Sequence, residues 1–307
     1  MSPTASHPVI RIGPAGWSYP DWRGIVYPAR KPRGFNELNY LAHFFDTVEI
    51  NTSFYHPPQP AAAKEWVRHV EGNPSFTFTA KLLHAFTHER NATAGDERVF
   101  KEGMAPLAGA GRLGALLVQF PWSFKNNPPN RQYLAGLAKR FGEYPLALEV
   151  RHNSWNTPEV FEMLRELGVG FCNIDQPVIG RSIRPSQNVT APVGYVRLHG
   201  RNYGHWFTAS EQAGERYNYL YTTNELVPWA RRILEIAKQS SLTFVVTNNH
   251  FQGKAAANAL QLINLVSGRR VAAPEELLLR YPELVEIAAS PGSASQAPLP
   301  FAAPESA

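Results

Sequence analysis

The stretch PLALEVRHNSW, Pro145 to Trp155, decides the fold class of this chain and the place of its polar residues. Read as a β-strand, it carries two kinds of side chain, because successive side chains point to opposite faces. One face is aliphatic: Leu146, Leu148 and Val150. The other begins with a small residue and ends with two charges: Ala147, Glu149 and Arg151. A buried carboxylate and guanidinium are costly unless they face ligand or partner charges. The pattern therefore predicts a strand whose charged end lines a polar pocket.

The composition is that of an ordinary globular protein. Of 307 residues, 44% are hydrophobic and 18% are charged, which does not fit a disordered or fibrous chain. No apolar run reaches the ~20 residues of a membrane span, and the start MSPTASHPVI lacks the basic and apolar regions of a secretion signal. The single cysteine, Cys172, excludes an internal disulfide and indicates a buried, unreactive thiol. We therefore expect a cytoplasmic protein.

The charge distribution indicates small molecules as partners. A net charge of +5 is compatible with nucleic acid or other anions. However, the densest basic group, Arg30 to Arg33, is interrupted by Pro32. We expect a mildly basic, solvated surface and a small-molecule substrate of a phosphorylated or sugar-like kind, with nucleic acid not favoured and no membrane partner.

Strand-like and helix-like segments alternate along the chain. The predicted strands are Ile10 to Gly16, Thr47 to Asn51, Phe76 to Lys81, Leu113 to Phe120, Leu146 to Arg151, Val169 to Asp175, Gly194 to His199 and Thr243 to Asn249. The predicted helices are Gly34 to Phe45, Ala61 to Val70, Glu97 to Ala108, Arg131 to Phe141, Pro158 to Leu167, Glu225 to Gln239 and Lys254 to Val266. This alternation favours parallel strands joined by right-handed crossovers, and eight such strands predict a single α/β domain of the (β/α)₈ TIM-type barrel class.

The alternative architecture is an open doubly wound sheet. Such a sheet normally carries a glycine-rich phosphate turn that opens a helix after its first strand. Here GPAG, Gly13 to Gly16, leads into WSYPDW instead. We predict a disordered lead over residues 1–8, one barrel over residues 9–289 and a disordered tail over residues 290–307. The sixth β/α unit is irregular, since Gln176 to Pro192 contains two internal prolines and no helical pattern.

Polar side chains are predicted at the carboxyl end of almost every strand. Alternation makes Phe171, Asn173 and Asp175 the inward residues of the sixth strand and Val245, Thr247 and Asn249 those of the eighth. The predicted ring of polar ends consists of Glu49, Lys81, Gln119, Glu149, Arg151, Asp175, Arg197, His199 and Asn249. Active sites of such barrels lie at this end. The alternative is an ion-pair network in which three carboxylates neutralise three permanent cations.

Aromatic residues follow the strands and would surround this opening. They are Trp17, Trp22, Phe54, Tyr55, Trp122, Trp155, Tyr203 and Trp206. Flat side chains above polar groups suit stacking on a sugar or a base, whereas each one alone is also compatible with a loop anchor. Gln252 to Lys254 would lie at a helix N-terminus, where amide groups attract anions, although Gly253 also suits an ordinary loop.

Several of these segments together resemble the YecE-like family, the domain of unknown function 72 (DUF72). They are GPAGWSYPDWRG, VEINTSFYHPP, FTFTAKLLHAFTH, LGALLVQFPWSF, LALEVRHNSW, YVRLHGRN, RYNYLYTTNEL and TNNHFQGKAAANA, between about Ile10 and Val266. The resemblance implies a TIM-type barrel and supplies no settled activity. It also implies that Glu49, Lys81, Gln119, Glu149, Arg151, Asp175, His199 and Asn249 stand at recurrent positions. Pro14 and Ala15 depart from the family's small hydroxyl or glycine residues.

The leading functional hypothesis is an enzyme that acts by acid/base chemistry on a small polar or anionic substrate. Glu49 and Glu149 are the candidate acid and base, with the pKa of one raised by burial, and His199 is a further proton-transfer candidate. The predicted substrate-binding residues are Trp17, Asn51, Tyr55, Lys81, Gln119, Arg151, Trp155, Asp175, Arg197, Trp206 and Asn249.

Two other functions stay open. The first is metal-dependent phosphodiester hydrolysis, in which Glu49, Glu149, Asp175 and His199 would hold a divalent ion. The cations on the same rim would compete for those carboxylates, and no HxH or HExxH spacing occurs, so we predict no cofactor. The second is a non-catalytic barrel that binds a ligand or a protein through its aromatic rim.

Overall fold

A computed structural model describes residues 9–206 and 215–289. Its strands are β1 (Val9–Pro14), β2 (Thr47–Ile50), β3 (Thr77–Lys81), β4 (Leu113–Gln119), β5 (Leu146–Glu149), β6 (Val169–Asp175), β7 (Val193–Leu198) and β8 (Leu242–Thr247). They are parallel and follow one another in the order β1-β8-β7-β6-β5-β4-β3-β2. Near the carboxyl end of β1, the Gly16 amide donates to the Glu49 carbonyl at 2.8 Å. The predicted TIM-type barrel is confirmed, and it is nearly closed.

Helices lie between the strands. They are α1 (Glu37–Leu41), α2 (Pro60–His69), α3 (His84–Thr87), α4 (Ala94–Gly109), α5 (Pro128–Arg140), α6 (Pro158–Glu166), α7 (Thr223–Ala237), α8 (Lys254–Ser267) and α9 (Glu275–Arg280). α4 begins three residues before its predicted start, because Thr93 and Asp96 form a capping box there. Among the helices of residues 9–206 and 215–289, none combines the length and apolar composition that spanning a bilayer requires.

The irregular sixth unit is confirmed, because no helix forms between β6 and β7 in residues 176–192. This segment returns to the carboxyl end of β5, where the Ile183 amide donates to the Arg151 carbonyl at 2.8 Å and Asn153 donates to Arg181 at 2.9 Å. These bonds replace a crossover helix in holding the loop against the barrel. The predicted disordered segments, residues 1–8 and 290–307, lie outside the described residues.

We expect Gly13→Ala to lower the free energy of unfolding by about 2–3 kcal/mol, as overpacking does. A Cβ atom at Gly13 would overlap the Thr47 carbonyl, where β1 and β2 approach each other. Urea unfolding measures the change. Gly136→Ala in α5 is the matched control, because its Cβ meets no atom within 4 Å and alanine favours a helix by about 1 kcal/mol. Equal stability of Gly13→Ala and the wild type would contradict this close strand approach.

Candidate functional site

Arg197 lies fully buried at the centre of the barrel mouth and joins side chains from three other strands. Its Nη2 is 2.7 Å from Glu49 Oε1, and its Nη1 is 2.5 Å from Glu149 Oε2. Nη1 also donates to Gln119 Oε1 at 3.1 Å. The carboxyl ends of β2, β4, β5 and β7 therefore point their polar side chains at one centre. We call the mouth ring the set Glu49, Lys81, Gln119, Glu149, Arg151, Arg197 and His199.

Both oxygens of Glu49 are occupied. Arg197 donates to Oε1, while the Tyr195 hydroxyl donates to Oε2 at 2.9 Å and lies 2.8 Å from Thr79 Oγ1. Tyr195 and Thr79 lie below the mouth ring and are buried inside the barrel. Glu49 is thus held by its neighbours and has no oxygen directed at an open space.

Glu149 is held ionised by its neighbours. Oε1 lies 2.7 Å from Arg151 Nη2, as an ion pair, and 3.2 Å from His199 Nε2. Burial alone raises the pKa of Glu149, but Arg197, Arg151 and His199 outweigh it and hold the pKa well below its ordinary value. Of the two candidate carboxyls, Glu149 is therefore the one held ionised, so it accepts protons or hydrogen bonds and does not donate them.

His199 is neutral near pH 7 and is oriented by Asn248. Burial, followed by the charge of Arg151, lowers the pKa of His199 to about 3. Asn248 Nδ2 lies 3.0 Å from His199 Nδ1. Because an amide nitrogen only donates, Nδ1 accepts and the imidazole proton lies on Nε2, which faces Glu149. His199 therefore presents a neutral N–H group to the mouth.

A cavity of about 220 Å³ opens over the Gln119 and Arg151 side of the mouth ring. We call it the mouth cavity; its walls include Gln119, Phe120, Trp122, Arg151, Gln176 and Trp206. Arg151 Nη1 donates to Gln176 Oε1 at 2.9 Å, and its guanidinium carbon lies 5.5 Å from the Trp206 ring. The Trp206 ring centre is 6.3 Å from that of His199. This cavity suits a small molecule that presents an anionic group to Arg151.

The sixth strand faces the opposite way to the prediction. Cys172 and Ile174 pair in register with Tyr195 and Arg197, whose side chains lie inside the barrel. Phe171 instead packs outward, with its ring 5.2 Å from an aromatic ring of α6. Every residue of β6 is buried, so its apolar side chains mark no single inward face.

Asp175 is consequently not part of the mouth ring, and its predicted place in the ring of polar strand ends is wrong. Its two oxygens accept from Arg201 at 2.9 and 3.1 Å, and Arg201 also lies 3.2 Å from Glu225 of α7. Asn173 accepts instead from the loop residues Ser186 and Asn188. These bonds anchor the loops after β6 and β7.

The eighth strand was also assigned to the wrong face. Phe244 and Val246 pair in register with the inward residues of β7, whereas Thr247 donates outward to the Ala255 carbonyl of α8 at 2.9 Å. β8 consists almost entirely of apolar and β-branched residues, which fit either face equally well.

As a result, Asn248 reaches the site and Asn249 does not. Asn249 donates to Tyr219 O and to Asn258 Oδ1, each at 2.8 Å, so its predicted place in the ring of polar strand ends is wrong. Asn248 was missed. Its signal in the sequence was the adjacent pair of asparagines, of which only one can face His199.

Two predicted aromatic contacts are loop anchors. Trp17 packs against Trp66 of α2 with ring centres 5.4 Å apart. Trp155 is fully buried, and its Nε1 donates to the Phe124 carbonyl at 2.7 Å. The structure thus shows both side chains packed within the protein and shows neither one in the mouth cavity. Among the others, Trp206 lines the mouth cavity, and Tyr55 is 61% exposed.

Two further positions complete the predicted set. Asn51 Nδ2 donates to the Tyr19 hydroxyl at 3.4 Å, while its Oδ1 is buried without a partner in the described residues.

At the predicted anion site near α8, the Gln252 amide donates to Asp21 Oδ2 at 2.6 Å. The anion bound at this position is thus the chain's own carboxylate.

The residues proposed for a divalent metal do not fit one. Arg197 lies between Glu49 and Glu149, and Asp175 points away to Arg201. Within residues 9–206 and 215–289, no three His, Cys, Asp or Glu side chains are placed to hold a metal ion. The predicted ligand set is therefore wrong as a group.

Comparison with known proteins identifies the family. The family model described as "Protein of unknown function DUF72" matches residues 11–278. The UPF0759 protein YunF of Bacillus subtilis is 31% identical over 278 residues, covering 84% of this chain and 95% of YunF. The UPF0759 protein YecE of Escherichia coli K12 is 30% identical over 148 residues, covering 47% of this chain and 49% of YecE.

Solved structures agree with this assignment. A DUF72 family protein from Thermotoga maritima superposes with a TM-score of 0.73 at 32% identity, covering 84% of this chain and 99% of its own. Another from Enterococcus faecalis has a TM-score of 0.73 at 28% identity, with coverage of 84% and 95%. The chain therefore belongs to the DUF72 family, as its resemblance to the YecE-like proteins predicts.

Proposed function

We propose that this protein is an enzyme that acts by acid/base chemistry on a small polar or anionic substrate in the mouth cavity. The observation that carries the proposal is the charge of the mouth ring. Three cations, Lys81, Arg151 and Arg197, face two carboxylates, Glu49 and Glu149. The ring does not neutralise itself, so an anionic group of a substrate would complete it.

A buried polar atom without a partner supports a bound substrate. In the described part of the chain, Asn51 Oδ1 is buried and lacks a hydrogen-bond partner, whereas Glu149 Oε1 is shared between Arg151 at 2.7 Å and His199 at 3.2 Å. The unpaired Asn51 oxygen costs about 1–3 kcal/mol, which a substrate donor would recover. Glu149 would accept a proton, and the His199 N–H group would polarise a substrate oxygen.

An enzyme fits these residues better than a simple binding barrel. A binding pocket does not need a group that titrates near neutral pH. Burial and the charge of Arg197 lower the pKa of Lys81 to about 8, which places its titration in that range. Glu149 and Lys81 thus differ widely in proton affinity, a separation that acid/base chemistry uses.

We expect citrate and inorganic phosphate to bind the wild-type protein. Arg151→Met should weaken that binding about 10-fold to 100-fold, because the charge-assisted hydrogen bonds from Arg151 to the anion are lost. Isothermal titration calorimetry measures both affinities. Arg165→Met is the matched control, because Arg165 lies on the outer surface of α6 with half of its side chain exposed. Equal affinity of Arg151→Met and wild type would remove Arg151 from the site.

A further inference from the structure

Lys81 differs from the other cations of the mouth ring, because it forms no ion pair with a carboxylate in the part of the chain that the structure describes. Arg197 binds Glu49 and Glu149, and Arg151 binds Glu149. Across residues 9–206 and 215–289, no carboxylate oxygen lies within ion-pair distance of Lys81 Nζ. Its described neighbour is the Phe54 ring, whose centre lies 5.5 Å from Nζ. A purely structural lysine would be expected to pair with an acid.

The backbone of Lys81 is fixed while its side chain stays accessible. Lys81 is the last residue of β3, and its amide donates to Ser53 Oγ at 3.1 Å. The Ser53 hydroxyl also donates to the Lys81 carbonyl at 2.8 Å. The residue is only partly buried, unlike Glu49, Glu149 and Arg197. A rigid strand end thus presents an amine to the mouth.

Alternation along β3 places the Lys81 side chain on the inward face, because Thr79, two residues earlier, contacts the Tyr195 hydroxyl inside the barrel at 2.8 Å. Lys81 interacts electrostatically with Arg197, Glu49, Glu149 and Arg151 of the mouth ring. It also lowers the pKa of His88, which follows β3, and of His250, which follows β8. Burial and nearby cations favour the neutral amine, which is the nucleophilic form.

We infer that Lys81 forms a Schiff base with a small carbonyl compound whose anionic group is held by Arg151. This inference rests on the proposed function and assigns its substrate class, an anionic aldehyde, ketone or 2-oxo acid. The neutral amine nitrogen attacks the carbonyl carbon, and a carbon–nitrogen bond forms. Both amine protons pass to the carbonyl oxygen, which leaves as water, and the imine takes one proton from solvent to become an iminium ion. No oxidant or reductant takes part.

Arg151 and Trp206 would orient such a substrate. Arg151 is held from two sides by Glu149 and Gln176, and its guanidinium group lies against Trp206. A carboxylate or phosphate on Arg151 would leave the carbonyl carbon free to turn towards the centre of the mouth. The iminium ion would then act as an electron sink for proton removal by Glu149 or a bound water.

The test traps the adduct with sodium cyanoborohydride, which reduces the iminium ion to a stable amine. We incubate the wild type separately with pyruvate and with glyceraldehyde 3-phosphate, and we locate the adduct by peptide mass spectrometry. The expected result is one adduct per chain on Lys81 with at least one probe. Lys81→Arg and Lys81→Met abolish it, whereas Lys254→Arg, the matched control outside the mouth ring, retains it. Arg151→Met reduces labelling at least tenfold at low probe concentration.

A second measurement examines the Lys81 amine directly and does not depend on which carbonyl compound is used as the probe. The rate at which Lys81 is acetylated by trace acetic anhydride in the folded wild type should have its midpoint near pH 8. No Lys81 adduct with either probe overturns the inference, as does labelling spread evenly over surface lysines. If citrate still binds through Arg151 in that case, the proposed function stands and only the Schiff base fails. If neither occurs, both fail.

Discussion

Arg197→Met is expected to lower the free energy of unfolding by about 3–5 kcal/mol, the cost of breaking a buried ion pair by removing one partner. The guanidinium group is fully buried and joins two fully buried carboxylates. Without it, Glu149 keeps Arg151, but Glu49 keeps only the Tyr195 hydroxyl. The urea midpoint at constant slope measures the loss.

Two further variants isolate the cause of that loss. Arg98→Met removes an arginine from an exposed pair with Glu102 on α4, so it should change stability by less than about 0.5 kcal/mol. Adding Glu49→Gln to Arg197→Met removes the stranded charge and should restore part of the stability. A loss below about 1 kcal/mol for Arg197→Met would show that water reaches the mouth ring.

Stability is expected to fall steeply as the pH drops below 6.5, because buried histidines must stay neutral in the folded protein. Burial and Arg151 lower the pKa of His199 from 6.5 to about 3. Above pH 6.5 both states are neutral, and His199 contributes no pH dependence. Between pH 6.5 and the folded pKa, only the unfolded chain binds the proton, so His199 alone removes about 2 kcal/mol by pH ~5.

Other groups in the mouth modify this profile in ways that can be separated. Burial also lowers the pKa of His88 and His250 to about 4, so both act in the same direction as His199. Glu149 has a lowered pKa, so its stabilisation is complete above its unfolded pKa and is lost only as the pH falls through the folded value. The window between pH 6.5 and about 5 therefore reports histidines.

Urea unfolding at several pH values across that window checks this prediction. His199→Gln should flatten the pH dependence of stability by the amount assigned to His199, whatever its effect on absolute stability. His43→Gln, at an exposed position on the outside of the barrel, controls for the loss of a histidine. An unchanged slope in His199→Gln would mean that the imidazole is charged in the folded protein.

The barrel class followed from the alternation of strands and helices, and the central part of the site followed from side-chain alternation. In β2, β5 and β7, polar residues alternate with bulky aliphatic ones, so Glu49, Glu149 and Arg197 could be placed on one face and were found together. The charges themselves supplied the signal, since a charged residue in a buried strand has few places to face.

Alternation failed where strands carry no such contrast. β6 and β8 are buried on both faces, and neither Asp175 nor Asn249 was restricted to the barrel interior by its neighbours. The roles of the loop aromatics were equally hard to predict. The sequence around a tryptophan such as Trp155 does not show whether its ring contacts a ligand or packs against its own loop. The two helices that were not predicted, α3 and α9, have too few residues to show a helical period.

The central claim is that the strand ends build one anion-binding cavity beneath Trp206, and a crystal structure of the protein soaked with citrate tests it most directly. We predict a citrate molecule in the mouth cavity with a carboxylate within hydrogen-bond distance of Arg151. Citrate bound only to surface lysines and arginines, with the mouth cavity holding water alone, would contradict the account.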